Sequence, residues 1–115
     1  MSNNCLFCKI VAGEIPSKKV AETAELLAFE DVNPQAPTHI LIIPKKHIPS
    51  NLDLTDADKT LVGSIFLLAN EIAKERGIDK GGFRVVTNCG KNAGQAVFHI
   101  HFHLLGGRSL GWPPG

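Results

Sequence analysis

This sequence of 115 residues lacks a long hydrophobic segment. Its longest apolar runs, such as Ile65 to Ala69, are far shorter than the roughly 20 residues that an α-helix needs to span a bilayer. The first residues, MSNNCLFCKIVAGE, also lack the basic start and the apolar stretch of a secretory signal. We therefore expect a cytoplasmic protein that neither spans a membrane nor is exported.

The sequence also lacks an excess of either charge, because 12 lysine and arginine residues balance 11 acidic residues. Such a chain has no net field that would gather nucleic acid or anionic lipid, so we expect no nucleic-acid partner and no membrane partner. Any recognition of phosphate must be local. The apolar share of 43% and the charged share of 20% are typical of a globular protein, and the length predicts a single domain, residues 1–115.

Cysteine is scarce, with three residues that cannot all pair within one chain. Cys5 and Cys8 have the C-x-x-C spacing that lets two thiolates bind one metal from a helix start, but they supply only half of a tetrahedral zinc site. Two other interpretations stay open: reduced thiols packed as small apolar groups, and a redox pair, for which no thioredoxin-like βαβ pattern is visible. Cys89 stands alone and is assigned no role.

Periodicity and turn residues predict an α+β fold with one main helix packed on a sheet of mostly antiparallel strands. Thr55 and Asp58 form a capping-box-like start to the long helix, which should run to about Arg76, and a short helix is expected at residues 5–12. Phe66 and Leu67 widen the apolar stripe of the long helix and hint at a subunit interface. The predicted strands are residues 18–22, 26–31, 39–43, 83–87 and 97–105.

Three of the five histidines, His99, His101 and His103, alternate along the last predicted strand. Alternate residues of a strand share a face at a spacing of roughly 6.6 Å, and the apolar residues between them should face the other way into the core. Lysine or threonine would fill a merely solvated face more simply, so we expect chemistry here. Imidazole serves both as a metal ligand and as a catalytic nucleophile or base, and the spacing alone does not separate these roles.

A loop with small residues, Gly90 to Ala96, runs directly into the histidines. Small residues let backbone N–H groups approach an anion closely. Taken alone, such a loop is more often a plain turn. Its position beside the histidines indicates a phosphate next to an imidazole.

The segment HIHFHLL at residues 99–105 resembles the His-φ-His-φ-His-φ-φ signature of the histidine triad (HIT) superfamily, where φ is an apolar residue. Four flanking features are similar to those of its Hint branch: NPQAPTH at 33–39, PKKH at 44–47, Gly94-Gln95, and GGR at 106–108 with the WPPG ending at 112–115. The resemblance covers nearly the whole chain. It implies a five-stranded antiparallel sheet with one long and one short helix, continued across a homodimer.

Hint proteins hydrolyse purine nucleoside phosphoramidates such as AMP-amines and AMP-lysine, so the resemblance implies the same activity here. The middle histidine, His101, would attack the α-phosphorus, expel the amine and form a covalent nucleotidyl-histidine that water releases. An amine leaves readily only when protonated, so the site also needs a proton donor near the P–N bond. His103, Gln95 and the backbone N–H of Ala96 would donate to the phosphoryl oxygens, and His39 would support the triad.

The resemblance also implies contacts to the nucleotide and to a metal. Without it, the apolar residues of this set would be assigned to the core. Base and ribose contacts fall on Leu6, Phe7, Ile10, Phe29, Val32 and Asp31. Further nucleotide contacts fall on Asn88, Gly94, Gln95, Ala96, His101, His103 and Trp112. Some HIT proteins bind structural zinc through residues that match Cys5, Cys8, His47 and His99. The catalytic candidates are His101, His103, His39 and His99. If His99 binds zinc, it would not relay protons.

One departure is visible at Ala96, where many Hint proteins have a serine whose hydroxyl adds a phosphate contact. Other functions remain open. The chain could be a nucleotide-binding or adaptor protein with vestigial catalysis. It could also hydrolyse dinucleoside polyphosphates or transfer nucleotidyl groups, although relatives of those kinds lack the WPPG ending. A metallohydrolase that uses all three triad histidines around catalytic zinc is the least favoured enzyme.

Overall fold

The structure, a computed structural model, describes residues 4–115 and has a five-stranded antiparallel sheet at its centre. The strands lie in the order β1-β2-β3-β5-β4. They are β1 (Lys19–Glu22), β2 (Leu26–Glu30), β3 (Thr38–Pro44), β4 (Phe83–Thr87) and β5 (Phe102–Gly106). The helices are α1 (Leu6–Val11) and α2 (Lys59–Glu75). The α+β class and the sheet with one long and one short helix are confirmed.

The sheet separates two apolar clusters, because successive side chains of a strand face opposite sides. Along β3, Ile40 and Ile42 face α2, whereas Leu41 and Ile43 join the cluster that contains Phe7 of α1. The other strand residues in the α1 cluster are Leu27 and Phe29. The first residues of β3 follow the same alternation. The site described below therefore lies on the α1 side of the sheet, with the α2 cluster beneath it.

The long helix begins as the sequence predicts, through a capping box in which the Thr55 side chain and the Asp58 carboxylate each bond the other residue's backbone. This box forms in a short 3₁₀ turn, Asp56–Asp58, and the α-helix proper starts at Lys59. The Asp58 carboxylate also receives the Lys46 ammonium at 2.9 Å. Within residues 4–115, no helix combines the length and the apolarity needed to cross a bilayer.

The last predicted strand is shorter than expected and needs correction. Residues 97–105 were expected to form one strand, but β5 contains only Phe102–Gly106, so His99 and His101 precede it. The preceding segment is bonded to the loop after β3, where Ile48 accepts the Ile100 N–H at 2.6 Å. Phe98, which precedes His99 and would face the core if residues 97–105 formed one strand, is 60% exposed. The other predicted boundaries agree with the structure to within one residue, except that the start of α2 is preceded by the 3₁₀ turn.

Candidate functional site

The orientation of the His101 ring is fixed by the main chain. Nδ1 of His101 lies 2.8 Å from the carbonyl oxygen of His99. A carbonyl can only accept, so Nδ1 of the neutral ring carries the proton and Nε2 keeps its lone pair. The ring is buried and packs edge-on against Phe7, with the ring centroids 5.1 Å apart. His101 therefore offers one unprotonated nitrogen, Nε2, in a fixed direction.

A chain of hydrogen bonds fixes the tautomers of His39 and His103 in the same way. The backbone N–H of Gln35 donates to Nδ1 of His39 at 2.9 Å, so the His39 proton lies on Nε2. That nitrogen lies 2.8 Å from Nδ1 of His103 and 3.3 Å from Oδ2 of Asp31. Because Nε2 of His39 donates, Nδ1 of His103 accepts and the proton of neutral His103 lies on Nε2. His103 thus presents an N–H beside His101, with ring centroids 5.1 Å apart.

Burial keeps both supporting rings neutral. It lowers the pKa of His39, against the opposing effect of the Asp31 carboxylate. It also lowers the pKa of His103 to about 4, and the neighbouring His101 and His39 act in the same direction. Burial of an ionisable group without full compensation disfavours its charged form. At neutral pH, His103 is a hydrogen-bond donor without charge.

The four predicted metal ligands come together, and their ligand atoms all lie within 4.8 Å of one another. Nδ1 of His99 lies 3.4 Å from Sγ of Cys5, 3.6 Å from Sγ of Cys8 and 3.2 Å from Nδ1 of His47. Tetrahedral zinc, with bonds of about 2.3 Å to sulfur and about 2.0 Å to nitrogen, requires about 3.6 Å between nitrogen and sulfur and about 3.3 Å between two nitrogens. The spacing and the donor set fit this ion.

Hydrogen bonds and burial around the cluster favour the binding of a cation by its ligand atoms. Nε2 of His99 donates to the carbonyl oxygen of Pro44 at 2.7 Å, which leaves the Nδ1 lone pair facing the two sulfurs. The backbone N–H of Cys8 donates to Sγ of Cys5 at 3.3 Å. Burial, followed by the nearby Cys5, raises the pKa of the Cys8 thiol to about 11. Two thiolates at this position therefore need a cation to compensate their charge.

Asp31, His39 and His103 also bring three possible ligand atoms together. The Gln35 N–H occupies Nδ1 of His39, so Nε2 of this ring carries a proton and has no lone pair for a metal. This group is therefore a hydrogen-bonded chain. The triad as a whole does not surround one point either, since Nδ1 of His99 faces the cysteines while Nδ1 of His103 faces His39. This divergence argues against catalytic zinc held by all three.

The glycine-bearing loop uses the N–H groups of Gly94 and Gln95 to close on itself. The N–H of Gly94 donates to the Lys91 carbonyl at 3.0 Å, and the N–H of Gln95 donates to the Gly90 carbonyl at 3.1 Å. Among residues 4–115, the N–H of Ala96 has no intramolecular acceptor. The Ala96 N–H, the backbone donor that the resemblance implies for the phosphate, is therefore available to one.

The Gln95 side chain is also fully engaged. Its Nε2 donates to the Pro49 carbonyl at 2.7 Å and to the Val97 carbonyl at 3.1 Å, and its Oε1 accepts the Gly90 N–H at 2.9 Å. An amide group has two N–H bonds, so none remains for a ligand in this arrangement. Gln95 ties its own loop to the loop that carries His47.

A cavity of about 670 Å³ on the α1 side is lined by four of the predicted base and ribose contacts, Ile10, Phe29, Asp31 and Val32. Phe7 is buried and lies edge-on both to Phe29, which lines this cavity, and to His101. Such a volume suits a small-molecule ligand, and apolar walls with one carboxylate suit a base and its ribose.

The remaining predicted nucleotide contacts lie elsewhere. Leu6 and Ala96 line a second cavity of about 450 Å³. Asn88 directly follows β4, where the Thr87 hydroxyl donates to the His101 carbonyl at 3.0 Å. Trp112 is 81% exposed and lines neither cavity, and the adjoining Gly111 carbonyl is held by Arg84 at 2.9 Å.

Residue patterns do not reveal the roles of Gln35 and Pro44, which fix the rings of His39 and His99. Gln35 acts through its backbone N–H and Pro44 through its carbonyl oxygen. Every residue has a backbone carbonyl, and every residue except proline has a backbone N–H. The residue types therefore carry no signal for these roles. Lys18, which borders the larger cavity, was also missed, because it reads as an ordinary exposed strand residue.

Comparison with known proteins gives one consistent result. A family model described as "HIT domain" matches residues 12–110. An uncharacterized HIT-like protein of Synechocystis sp. is 49% identical over 115 residues, covering 100% of both chains. The crystal structure of a HIT family hydrolase from Legionella pneumophila superposes with a TM-score of 0.96 at 53% identity, covering 97% of this chain and 100% of the other. A histidine triad protein from Clostridium difficile gives a TM-score of 0.93 at 50% identity, covering 96% of each chain.

Proposed function

The chain belongs to the HIT family, and on that premise we propose that it hydrolyses purine nucleoside phosphoramidates with His101 as the nucleophile. The observation that carries the proposal is the bond from His101 Nδ1 to the His99 carbonyl, which leaves Nε2 unprotonated. The hydrolase name of the Legionella pneumophila neighbour supports a hydrolytic reaction. The substrate class comes from the resemblance to Hint proteins.

In the proposed complex, the base lies in the larger cavity against Ile10, Phe29 and Val32, and the Asp31 carboxylate accepts from a ribose hydroxyl. The α-phosphoryl group lies beside His101. The Ala96 N–H and the His103 Nε2–H donate to its non-bridging oxygens and so stabilise the negative charge of the transition state.

The reaction proceeds in two displacements at phosphorus. First, the Nε2 lone pair of His101 forms a bond to phosphorus, the P–N bond to the amine breaks, and the departing nitrogen takes a proton from water. Neutral His103 is too weak an acid to give up its proton, so it acts as a hydrogen-bond donor throughout. A second water molecule then attacks phosphorus and gives a proton to the hydroxide left by the first step, the bond to His101 breaks, and the nucleoside monophosphate leaves with Nε2 restored.

We further propose that Cys5, Cys8, His47 and His99 hold a structural zinc ion. Four protein ligands leave no open coordination position, so the ion supplies cross-linking and no chemistry on the substrate. It would join α1, the loop after β3 and the segment that precedes His101. Reduced thiols are required, which supports a cytoplasmic location.

We also propose that the protein is a homodimer with Phe66 in its interface. Phe66 is 47% exposed and packs on Phe102 with ring centroids 5.8 Å apart, next to the edge strand β4. Sheet edges and exposed aromatic side chains are commonly covered by another chain. Leu67 points elsewhere, since it borders a cavity with Thr23 and Glu25 beside β2.

A turnover assay with AMP coupled to a simple amine tests the main proposal. The wild-type protein should release AMP, and His101→Ala should abolish release while AMP binding, measured by calorimetry, persists. A nucleotide-binding protein without turnover is the second candidate, and the loss of the usual serine hydroxyl at Ala96 favours it. AMP binding by the wild type without release would support that candidate and reject the hydrolase.

A further inference from the structure

The segment after β5 holds the outer side of the bend before β3. Nε and Nη2 of Arg108 both donate to the Gln35 carbonyl oxygen, at 3.2 and 2.9 Å, and Nη1 donates to the Ser109 carbonyl at 2.8 Å. Gly107 has φ +91°, and a Cβ there would lie 2.9 Å from Cβ of Pro37. Only glycine permits both this conformation and this approach. Gly107 and Arg108 therefore contact the bend at two of its residues.

The inner side of the same bend meets the site. The Gln35 N–H donates to Nδ1 of His39, and this bond, together with the Asp31 carboxylate 3.3 Å from Nε2, selects the tautomer that donates from Nε2 to His103. If this N–H moved away, the His39 proton could lie on Nδ1 instead. Nδ1 of His103 would then have to donate, and its Nε2 would present a lone pair to the phosphoryl oxygens in place of an N–H. A hydrogen bond to the substrate would become a repulsion.

The other hydrogen bonds of the bend do not hold the main chain of Gln35, whose N–H bonds His39 and whose carbonyl oxygen bonds Arg108. The Asn33 N–H donates to Oδ1 of Asp31 at 2.8 Å, and the Gln35 side chain donates to the Asn33 carbonyl at 3.1 Å. Both bonds hold Asn33 rather than the main chain of Gln35. Within residues 4–115, the contact that holds the main chain of Gln35 from outside the bend, apart from His39 itself, is Arg108.

We propose that Arg108 is a positioning residue that, by holding the main chain of Gln35, sets the tautomer of His39 and thereby makes Nε2 of His103 a donor toward the nucleotide. The consequence for catalysis rests on the proposed function. The consequence for the tautomers does not, because they exist in the free protein.

Long-range ¹H–¹⁵N correlation spectra of the free protein test the tautomers directly. The wild type should show His39 and His103 both protonated on Nε2. Arg108→Met should give a mixture of tautomers at His39. Arg84→Met is the matched control, since it removes a guanidinium bond to the Gly111 carbonyl and leaves Gln35 untouched. An unchanged His39 tautomer in Arg108→Met, or the same change in Arg84→Met, overturns the proposal.

Two variants at Gln35 test the same hydrogen bond without changing Arg108. Gln35→Pro removes the backbone N–H, whereas Gln35→Ala removes only the side chain. We expect a changed His39 tautomer in Gln35→Pro and the wild-type tautomer in Gln35→Ala. This pair decides the matter if Arg108→Met does not fold. A His39 tautomer that survives loss of the N–H contradicts the proposed chain of bonds.

Kinetics then connect the tautomers to turnover. Arg108→Met should lower kcat by about tenfold with KM changed less than about twofold, because the lost contact acts in the transition state. Arg108→Lys should recover most of the rate, since an ammonium still donates to the Gln35 carbonyl, and Arg84→Met should match the wild type. Equal losses in Arg108→Met and Arg84→Met would indicate general damage and overturn the role. A wild type without any turnover would reject the proposed function while the spectra still decide the tautomers.

Discussion

His99 and His101 are joined by a hydrogen bond of 2.8 Å from Nδ1 of His101 to the His99 carbonyl oxygen. The side chain of the same His99 faces Cys5 and Cys8, so one residue belongs to the candidate metal cluster and also orients the neighbouring imidazole. The triad is thus divided. His99 has a structural position, His101 offers an unprotonated Nε2 and His103 an N–H.

Loss of a cysteine ligand tests the metal site. We expect near-stoichiometric zinc in the purified wild type by elemental analysis, and Cys8→Ser should lose most of it. Removing a structural zinc withdraws folding free energy, so the midpoint of thermal unfolding should fall by at least about 5 °C. Cys89→Ser is the matched control, because Cys89 lies outside the cluster. Zinc-free wild-type protein, or equal behaviour of the two variants, would reject the site.

Gln95 should contribute to stability rather than to phosphate binding. Gln95→Glu replaces two N–H groups by a carboxylate facing the carbonyls of Pro49 and Val97, which costs about 1–3 kcal/mol or more when the group stays buried. Urea unfolding should show this loss. Gln35→Glu makes the same exchange at an exposed side chain and should be nearly neutral. If Gln95→Glu is equally neutral but weakens AMP binding, the phosphate role expected from the sequence is the correct one.

The low pKa of His103 predicts a pH dependence of stability. Burial lowers this pKa to about 4, against about 6.5 in an unfolded chain. Between these values the unfolded state binds more protons, so the free energy of unfolding falls as the pH falls, by at most about 1.4 kcal/mol per pH unit from this group. His103→Asn removes the group, and its stability should fall less steeply between pH 6.5 and 4.5. Parallel curves for the two proteins would show that His103 does not contribute.

Phe66 should determine the oligomeric state. Light scattering should give the mass of a dimer for the wild type and of a monomer for Phe66→Glu, because a buried unpaired carboxylate opposes association. Leu67→Glu places the same charge at the next position on a different side of α2 and should stay dimeric. A monomeric wild type, or dissociation by Leu67→Glu alone, would contradict the proposed interface.

Much of the architecture could be predicted, because the continuous apolar run of β3 and the capping box at Thr55 are local signals. The convergence of Cys5, Cys8, His47 and His99 came from the family resemblance, and the structure brings the four together. The bend that takes His99 out of the strand could not be predicted. Its partners, Pro44 at the end of β3 and Ile48 in the loop that follows, are about 50 residues away in sequence. They act through carbonyl oxygens, which every residue type has.

Base recognition was also only partly predictable. Ile10, Phe29 and Val32 look like core residues by pattern, and two of them do belong to or border the α1 cluster while also lining the cavity. Phe7, predicted as a base contact, does not line the cavity; it is buried and packs against His101. Periodicity identifies the apolar face of an element, but it does not distinguish residues that line a cavity from residues buried in the core.

The most direct test of the central claim is mass spectrometry of the protein quenched during turnover of an AMP phosphoramidate. A nucleotidyl group bound covalently to His101 is the expected result, located by peptide sequencing and absent from His101→Ala. AMP release with no adduct on the wild type under single-turnover conditions, or an adduct on another residue, would contradict the account.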